Sequence, residues 1–393
     1  MPDRRVQLAD EFRSQARFAA GYSPLYALLF GIVAGWLAAE EPDPVADWLL
    51  VATAERRPFD VTLLLPAALH REVLAGVPAA APLAPFYPSV GGTVPAAPAA
   101  DLAAALRQVS LARGDALAAF IRRANVQTNE TGRGLAWLLP LAVMGWPAVH
   151  LLELGASAGL NLVAERRAYR LADAAAPETT LLTLGSGAPP QFTTLVRGWA
   201  TLPPRPCCPT ILSRTGVDLH PFPLATAEDE LTLTAFLWAD QVTRVARLRE
   251  GIAALRAVEA TVAPVRLAPL RLPDELPAFL AGYAPPPDDA PVVIFNTTVT
   301  MYLPDRGAGL RAAIDDWAGR RAAPVLWLQW EPAGPDDGPP PEDSWFRWTA
   351  DLWPNAPGKY RRHHFQLAWV HPHGTALEWT PQIGSFLDIA MQI

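Results

Sequence analysis

Leu151-Leu152-Glu153-Leu154-Gly155-Ala156-Ser157-Ala158-Gly159-Leu160-Asn161 is the stretch on which the fold turns. An apolar run ends in an acid, a turn of small residues follows, and a helical pattern over about 158–170 begins after it. Gly155 permits a tight turn, and Gly159 lets a helix approach the strand closely. In an open α/β sheet, the amides at such a helix start face the crevice at the strand ends, where ligands bind. Outward from this point the chain alternates. Strands are expected at 148–154, 210–218, 263–267, 291–296 and 324–330, with helices at about 228–259, 274–282 and 305–320 between them. Strands separated by helices predict a parallel sheet. Three antiparallel strands near 345–352, 361–370 and 375–380 close the pattern.

Residues 1–145 read as mostly helical, around Leu8, Phe12, Gln15 and Phe18, then 24–36, 61–77, 102–124 and 131–144. Pro-Phe-Tyr-Pro-Ser-Val-Gly-Gly at 85–92 is turn chemistry within a loop over 78–100. The expected division is a helical N-terminal lid domain over 1–145 and an α/β domain over 146–393, with an insertion at about 171–210. Gly134 to Leu152 carries no charge over 19 residues, but Pro140, Pro147 and His150 interrupt it. A buried helix, a turn at 145–147 and a buried strand fit it better than a membrane span.

Composition narrows the function. The chain has 393 residues, 51% hydrophobic, and a formal net charge of −7, which gives no basic footprint for nucleic acid or an anionic membrane. Lys359 is the only lysine, so a phosphate loop of the GxxxxGK[ST] kind is absent and a Schiff-base lysine is disfavoured. Cys207 and Cys208 are neighbours, too close for an unstrained disulfide. They suit a reduced, cytoplasmic protein, and the N-terminus lacks the apolar core of a signal peptide. No metal site is expected: His371 and His373 flank Pro372 in a turn, with only Glu378 as a nearby carboxylate.

Three readings of the glycine turn compete. A dinucleotide fingerprint needs GxGxxG, but Ser157 and Leu160 occupy the second and third glycine places, and no strand precedes Asp173. Gly155-Ala156-Ser157-Ala158-Gly159 fits the GxSxG nucleophile elbow of a serine hydrolase, with Asp305 and His371 or His373 to complete the triad. The helical residues before it leave no strand to build that enzyme's oxyanion hole. The third reading is similar to S-adenosylmethionine-dependent methyltransferases, whose acid-x-Gly-x-x-x-Gly turn Glu153, Gly155 and Gly159 reproduce. Asp218, at the end of the next core strand before His220, stands where a ribose-binding acid is expected.

Around this turn, the candidate cofactor-binding residues are Glu153, Gly155, Ser157, Gly159, Asn161, Asp218 and His220. Asn296, at the end of the fourth core strand, is a candidate catalytic amide that could equally hold the Thr297-Thr298 turn. Tyr302 is a second catalytic candidate, with core packing as its simpler role. Gln127-Thr128-Asn129-Glu130 with Arg133 forms a polar cluster between apolar helices. Gln127, Asn129 and Arg133 are candidate substrate contacts and Glu130 a candidate base; a helix cap accounts for only part of the cluster.

With these segments in hand, the chain resembles the domain of unknown function 2332 family of bacterial proteins over nearly its full length. The resemblance rests on 86–92, 127–133, 152–162, 216–221, 238–241, 292–303 and 371–374. It implies a Rossmann-like, S-adenosylmethionine methyltransferase-type sheet with an N-terminal helical domain and C-terminal antiparallel strands, and it names no reaction. Asn296 stands where the family pattern leads one to expect histidine, and no acid follows the strand at 263–267. The expected activity is methyl transfer from S-adenosylmethionine to a small-molecule or peptide acceptor. A serine hydrolase and a non-catalytic binding protein are the alternatives.

Overall fold

The computed structural model describes every residue except 1–2, 98, 128–129, 188–191, 199–207, 288, 335–336, 355–361 and 391–393. Asn129, Thr128, Cys207 and Lys359 therefore lie outside the described residues. The chain forms two compact units, one of Met1–Thr128 with Leu224–Ala246, the other of Asn129–Pro223 with Arg247–Ile393. The division thus falls before residue 145, and a distant segment joins the N-terminal helices.

The first unit packs the helices Arg4–Ala19, Pro24–Ala38, Pro44–Ala52, Pro58–Leu74, Ala100–Ala112 and Gly114–Arg123. Pro24, Pro44 and Pro58 each open a helix, where the missing N–H costs nothing. Leu8, Phe12, Phe30, Leu64 and Leu106 are among the buried residues of its core. The stretch 78–90, expected as irregular, forms 3-10 turns at Pro78–Phe86 and Pro88–Val90, whose repeated prolines lack α-helical donors. The single helices expected over 102–124 and 228–259 are each broken, at Arg113 and between Ala235 and Val242.

Among the described residues, the second unit is built on one eleven-stranded mixed sheet. Its strands are β1 (Ala148–Leu154), β2 (Tyr169–Asp173), β3 (Thr180–Leu184), β4 (Phe192–Arg197), β5 (Thr210–Asp218), β6 (Val265–Pro269), β7 (Val292–Thr297), β8 (Val325–Pro332), β9 (Phe346–Trp353), β10 (His363–Val370) and β11 (Ala376–Trp379). Their order is β3-β2-β4-β11-β10-β9-β8-β7-β1-β5-β6. The strands β6-β5-β1-β7-β8 are parallel, and β9 and β10 continue antiparallel. β11 then runs antiparallel to β10, and β4 and β2 run parallel to β11. Within the region expected as an insertion, the candidate strands at 179–184 and 192–197 are β3 and β4 of the sheet, and β2 ends at Asp173, before which no strand was expected.

Side chains alternate between faces, as strand geometry requires. Val149, Leu151, Val293, Phe295, Leu326 and Leu328 face one core, shared with the wholly buried helix Leu135–Met144. Leu152, Leu154, Val292, Ile294, Val325 and Trp327 face the other, covered by helices Leu276–Gly282 and Ala308–Ala318. Strand order reverses at β1, with β5 and β6 on one side and β7 and β8 on the other. In open α/β sheets ligands bind outside the carboxyl ends of the strands at such a reversal, and Gly155 follows the carboxyl end of β1.

The helix expected at 158–170 is absent. A 3-10 turn, Leu160–Arg166, contains the non-helical Val163 and leads directly into β2. The reason lies in two carbonyls that an α-helix would spend on its own amides. Trp137 Nε1 donates to the Asn161 carbonyl at 2.8 Å, and Arg214 Nε to the Leu162 carbonyl at 3.0 Å. Among the described residues no single helix is long and apolar enough to cross a membrane. One pair, Pro58–Leu74 with Pro78–Phe86, passes by length and composition together but bends by 106°.

Candidate functional site

Glu153 is the last residue but one of β1 and only 2% exposed. Burial pushes its carboxyl well above the usual carboxylate range, the Asn161 amide opposes this, and the Asp218 charge adds to the rise. Asn161 Nδ2 donates to Glu153 Oε1 at 3.4 Å. Glu153 Oε2 and Asn161 Oδ1 are both buried and have no hydrogen-bond partner among the described residues. Two buried polar oxygens are thus held without a partner, an arrangement that costs about 1–3 kcal/mol for each group.

The turn between them is backbone-strained in a way that only its composition allows. Gly155 and Gly159 have φ of +77° and +72°, and Ser157 also sits in the left-handed region at +48°. A Cβ on Gly155 would meet Val299 Cγ2 at 2.3 Å, and one on Gly159 would meet Val265 Cγ1 at 2.9 Å. The second glycine approaches β6 rather than a helix.

Asp218 shares the Glu153 side of the sheet: Gly216 is the register partner of Glu153, and Asp218 lies two residues on. Its Oδ2 accepts from the Ser157 amide at 2.8 Å and its Oδ1 from the His220 amide at 2.9 Å. The carboxylate therefore braces the glycine turn, and the His220 side chain is exposed.

Asn296 is fully buried on the opposite face, one register position beyond the partner of Glu153. Its Nδ2 donates to Glu331 Oε1 at 2.7 Å, and Trp327 Nε1 donates to its Oδ1 at 2.7 Å. The amide thus joins Trp327 to Glu331. Glu331 is the residue sequence reasoning missed. It accepts from the Val299 amide at 2.8 Å and from the Thr300 amide and hydroxyl at 3.0 and 2.8 Å. Burial raises its pKa against these bonds. The available signal was an apolar strand, Val325–Trp330, ending in an acid, as β1 does. Tyr302 is 59% exposed, which overturns core packing as its role.

Glu130 and Arg133 meet the His371–Gly374 turn, which follows β10 at the same carboxyl edge of the sheet. Arg133 Nε donates to the Pro372 carbonyl at 2.9 Å, and His373 Nδ1 lies 3.3 Å from Glu130 Oε2. Glu130 is 3% exposed and also accepts from the Gly132 amide at 3.3 Å. Gly132 is required there, since a Cβ would meet the Phe192 ring at 2.1 Å. Burial lowers the His371 pKa, helped by His373 and opposed by Glu130. Gln127 is half-buried at the end of the first unit, and Asn129 is outside the described residues.

The hydrolase triad is not assembled from its proposed members. Asp305 accepts from the Gly307 and Gly309 amides at 3.0 and 2.6 Å, and His371 Nδ1 lies 3.0 Å from the Thr375 hydroxyl. Among the described residues no group of three His, Cys, Asp or Glu side chains is arranged to hold a metal ion.

Comparison with curated proteins and with solved structures finds no match. The family described as uncharacterized protein conserved in bacteria, DUF2332, matches residues 9–379, so the chain belongs to that family.

Proposed function

We propose that the second unit binds S-adenosylmethionine in the crevice beside β1 and serves methyl transfer to a small-molecule or peptide acceptor. The observation that carries the reading is the buried, donor-poor pair of Glu153 Oε2 and Asn161 Oδ1 at the strand-order reversal. An amino acid ammonium brings the N–H donors and the positive charge that both acceptors lack. The Gly155–Gly159 turn offers backbone close to that point, and Asp218 keeps the turn in shape. The cofactor, when bound, supplies a methyl group already activated by its sulfonium. The protein's contribution is then to orient and to exclude water. Glu130 with His373, at the same edge, is the group suited to take a proton from an acceptor.

Titration calorimetry with S-adenosylmethionine and with its demethylated product tests the binding. Saturable heat supports the reading; folded protein giving none at high micromolar ligand sinks it. Val299, packed on Gly155, favours a second reading in which the fold binds without chemistry. Binding without turnover on any acceptor panel would point there.

A further inference from the structure

His70 and Ser89 form a pair in the first unit that the methyltransferase reading leaves unused. His70 lies on the helix Pro58–Leu74 and is fully buried. Its Nδ1 is 2.9 Å from the Leu237 carbonyl and 3.2 Å from the Ala235 carbonyl. Carbonyl oxygens only accept, so Nδ1 carries the proton, and in the neutral ring Nε2 is left with its lone pair. Burial pushes the His70 pKa down to about 4, which keeps the ring neutral at ordinary pH. Ser89 Oγ is 2.8 Å from Nε2, so its hydroxyl donates to the ring.

The serine is presented on a rigid turn. The Val90, Gly91 and Gly92 amides donate to the carbonyls of Tyr87, Pro88 and Tyr87 at 3.0, 3.1 and 3.0 Å. A Cβ on Gly92 would meet the Ala84 carbonyl oxygen at 2.4 Å, so only glycine closes this turn. Ser89 itself is half-buried, with its hydroxyl at the inner end against the ring. A hydroxyl on an imidazole whose other nitrogen is fixed by a third group is the arrangement of an activated nucleophile. Here the third group is a pair of backbone carbonyls from 235–237, brought in by the segment that sequence distance separates from the helix.

We propose that Ser89 and His70 are the nucleophile and base of an acyl-transfer site for small activated esters. Ser89 Oγ forms a bond to the acyl carbon and passes its proton to His70 Nε2. The ester's C–O bond breaks, and the leaving alkoxide takes that proton as an alcohol. Water then attacks the Ser89 ester, its proton going to Nε2 and on to Ser89 Oγ as the acid departs. The site is separate from Ser157, whose amide is bound to Asp218 in the other unit.

The test is to treat the full chain with a fluorophosphonate probe, locate the adduct by peptide mass spectrometry, and follow p-nitrophenyl acetate hydrolysis. The expected adduct is on Ser89. Ser89→Ala abolishes labelling and lowers hydrolysis by roughly 10²-fold, while Ser14→Ala, at an exposed serine of the helix Arg4–Ala19, leaves both unchanged. His70→Gln slows labelling of Ser89, and circular dichroism checks that each variant is folded. No adduct on Ser89 of folded protein, an adduct on Ser157 instead, or full hydrolysis by Ser89→Ala overturns the proposal.

Discussion

Glu153 and His70 are buried ionisable groups whose titrations act on stability with opposite signs. Folding raises the Glu153 pKa from its ordinary 4.5, so above that pH the unfolded chain gives up a proton that the folded chain keeps. Its contribution is therefore full below 4.5 and is lost as pH rises. Glu153→Gln removes this titration. Urea unfolding should show the variant gaining on the parent as pH rises above 4.5; a constant difference would contradict it. His70 is lowered from 6.5 to about 4, so its contribution is full above 6.5 and is lost as pH falls toward 4. The stability gap between the parent and His70→Gln should shrink by about 2 kcal/mol between pH 7 and pH 5. If a ligand ammonium does ionise Glu153, binding must also release a proton. Calorimetry at pH 7 in phosphate and in Tris should then give different heats for the parent. For Glu153→Gln the heats should agree and the affinity should be lower.

At the scale of elements, the turn after β1 is set by contacts that the glycines make possible. Gly155→Ala forces a Cβ into a left-handed position and against Val299, a loss of about 2–4 kcal/mol. Val299→Ala in that background should recover part of the loss, and a double-mutant cycle on urea midpoints measures the coupling. Purely additive effects would show that the clash is not the cause. The segment after Gly159 reads as a helix because it follows an apolar strand and a turn of small residues. Trp137 and Arg214 take its carbonyls instead, and both donors come from elements remote in sequence. In the same way Asn296 looked catalytic from its place on β7. The structure pairs its amide with Trp327 and Glu331, which no local pattern announced.

Over the whole molecule, the first unit is completed by residues more than 200 positions away. Trp238 stacks between Tyr22 and Tyr26, with ring centroids at 5.1 and 4.8 Å. Asp240 accepts from the Ser23 hydroxyl at 2.7 Å and the Leu25 amide at 3.1 Å, at the start of the helix Pro24–Ala38. Trp238→Ala should therefore destabilise the unit holding Tyr22 and Tyr26 by roughly 3 kcal/mol. Hydrogen exchange should report that loss in Pro24–Ala38. Protection there equal to the parent's would contradict this linkage. The segments around 86–92 and 238–241 were legible as motifs, yet nothing local revealed that Ser89 of the first closes on His70 or that Trp238 and Asp240 of the second close on residues 22–26.

The sequence by itself determined the parallel strands, the β1 turn and the buried acid, because apolar runs, left-handed glycines and strand-end positions are local properties. It also determined that the residues 134–144 are buried, since they are apolar on every side. Tertiary structure alone decided which polar groups have partners. It gave Asp218 to the turn, Asn296 to Glu331, Glu130 to the His371–Gly374 turn and Ser89 to His70. It left Glu153 and Asn161 with acceptors unfilled among the described residues. Hydrogen bonding is satisfied across space, between residues whose separation along the chain carries no signal.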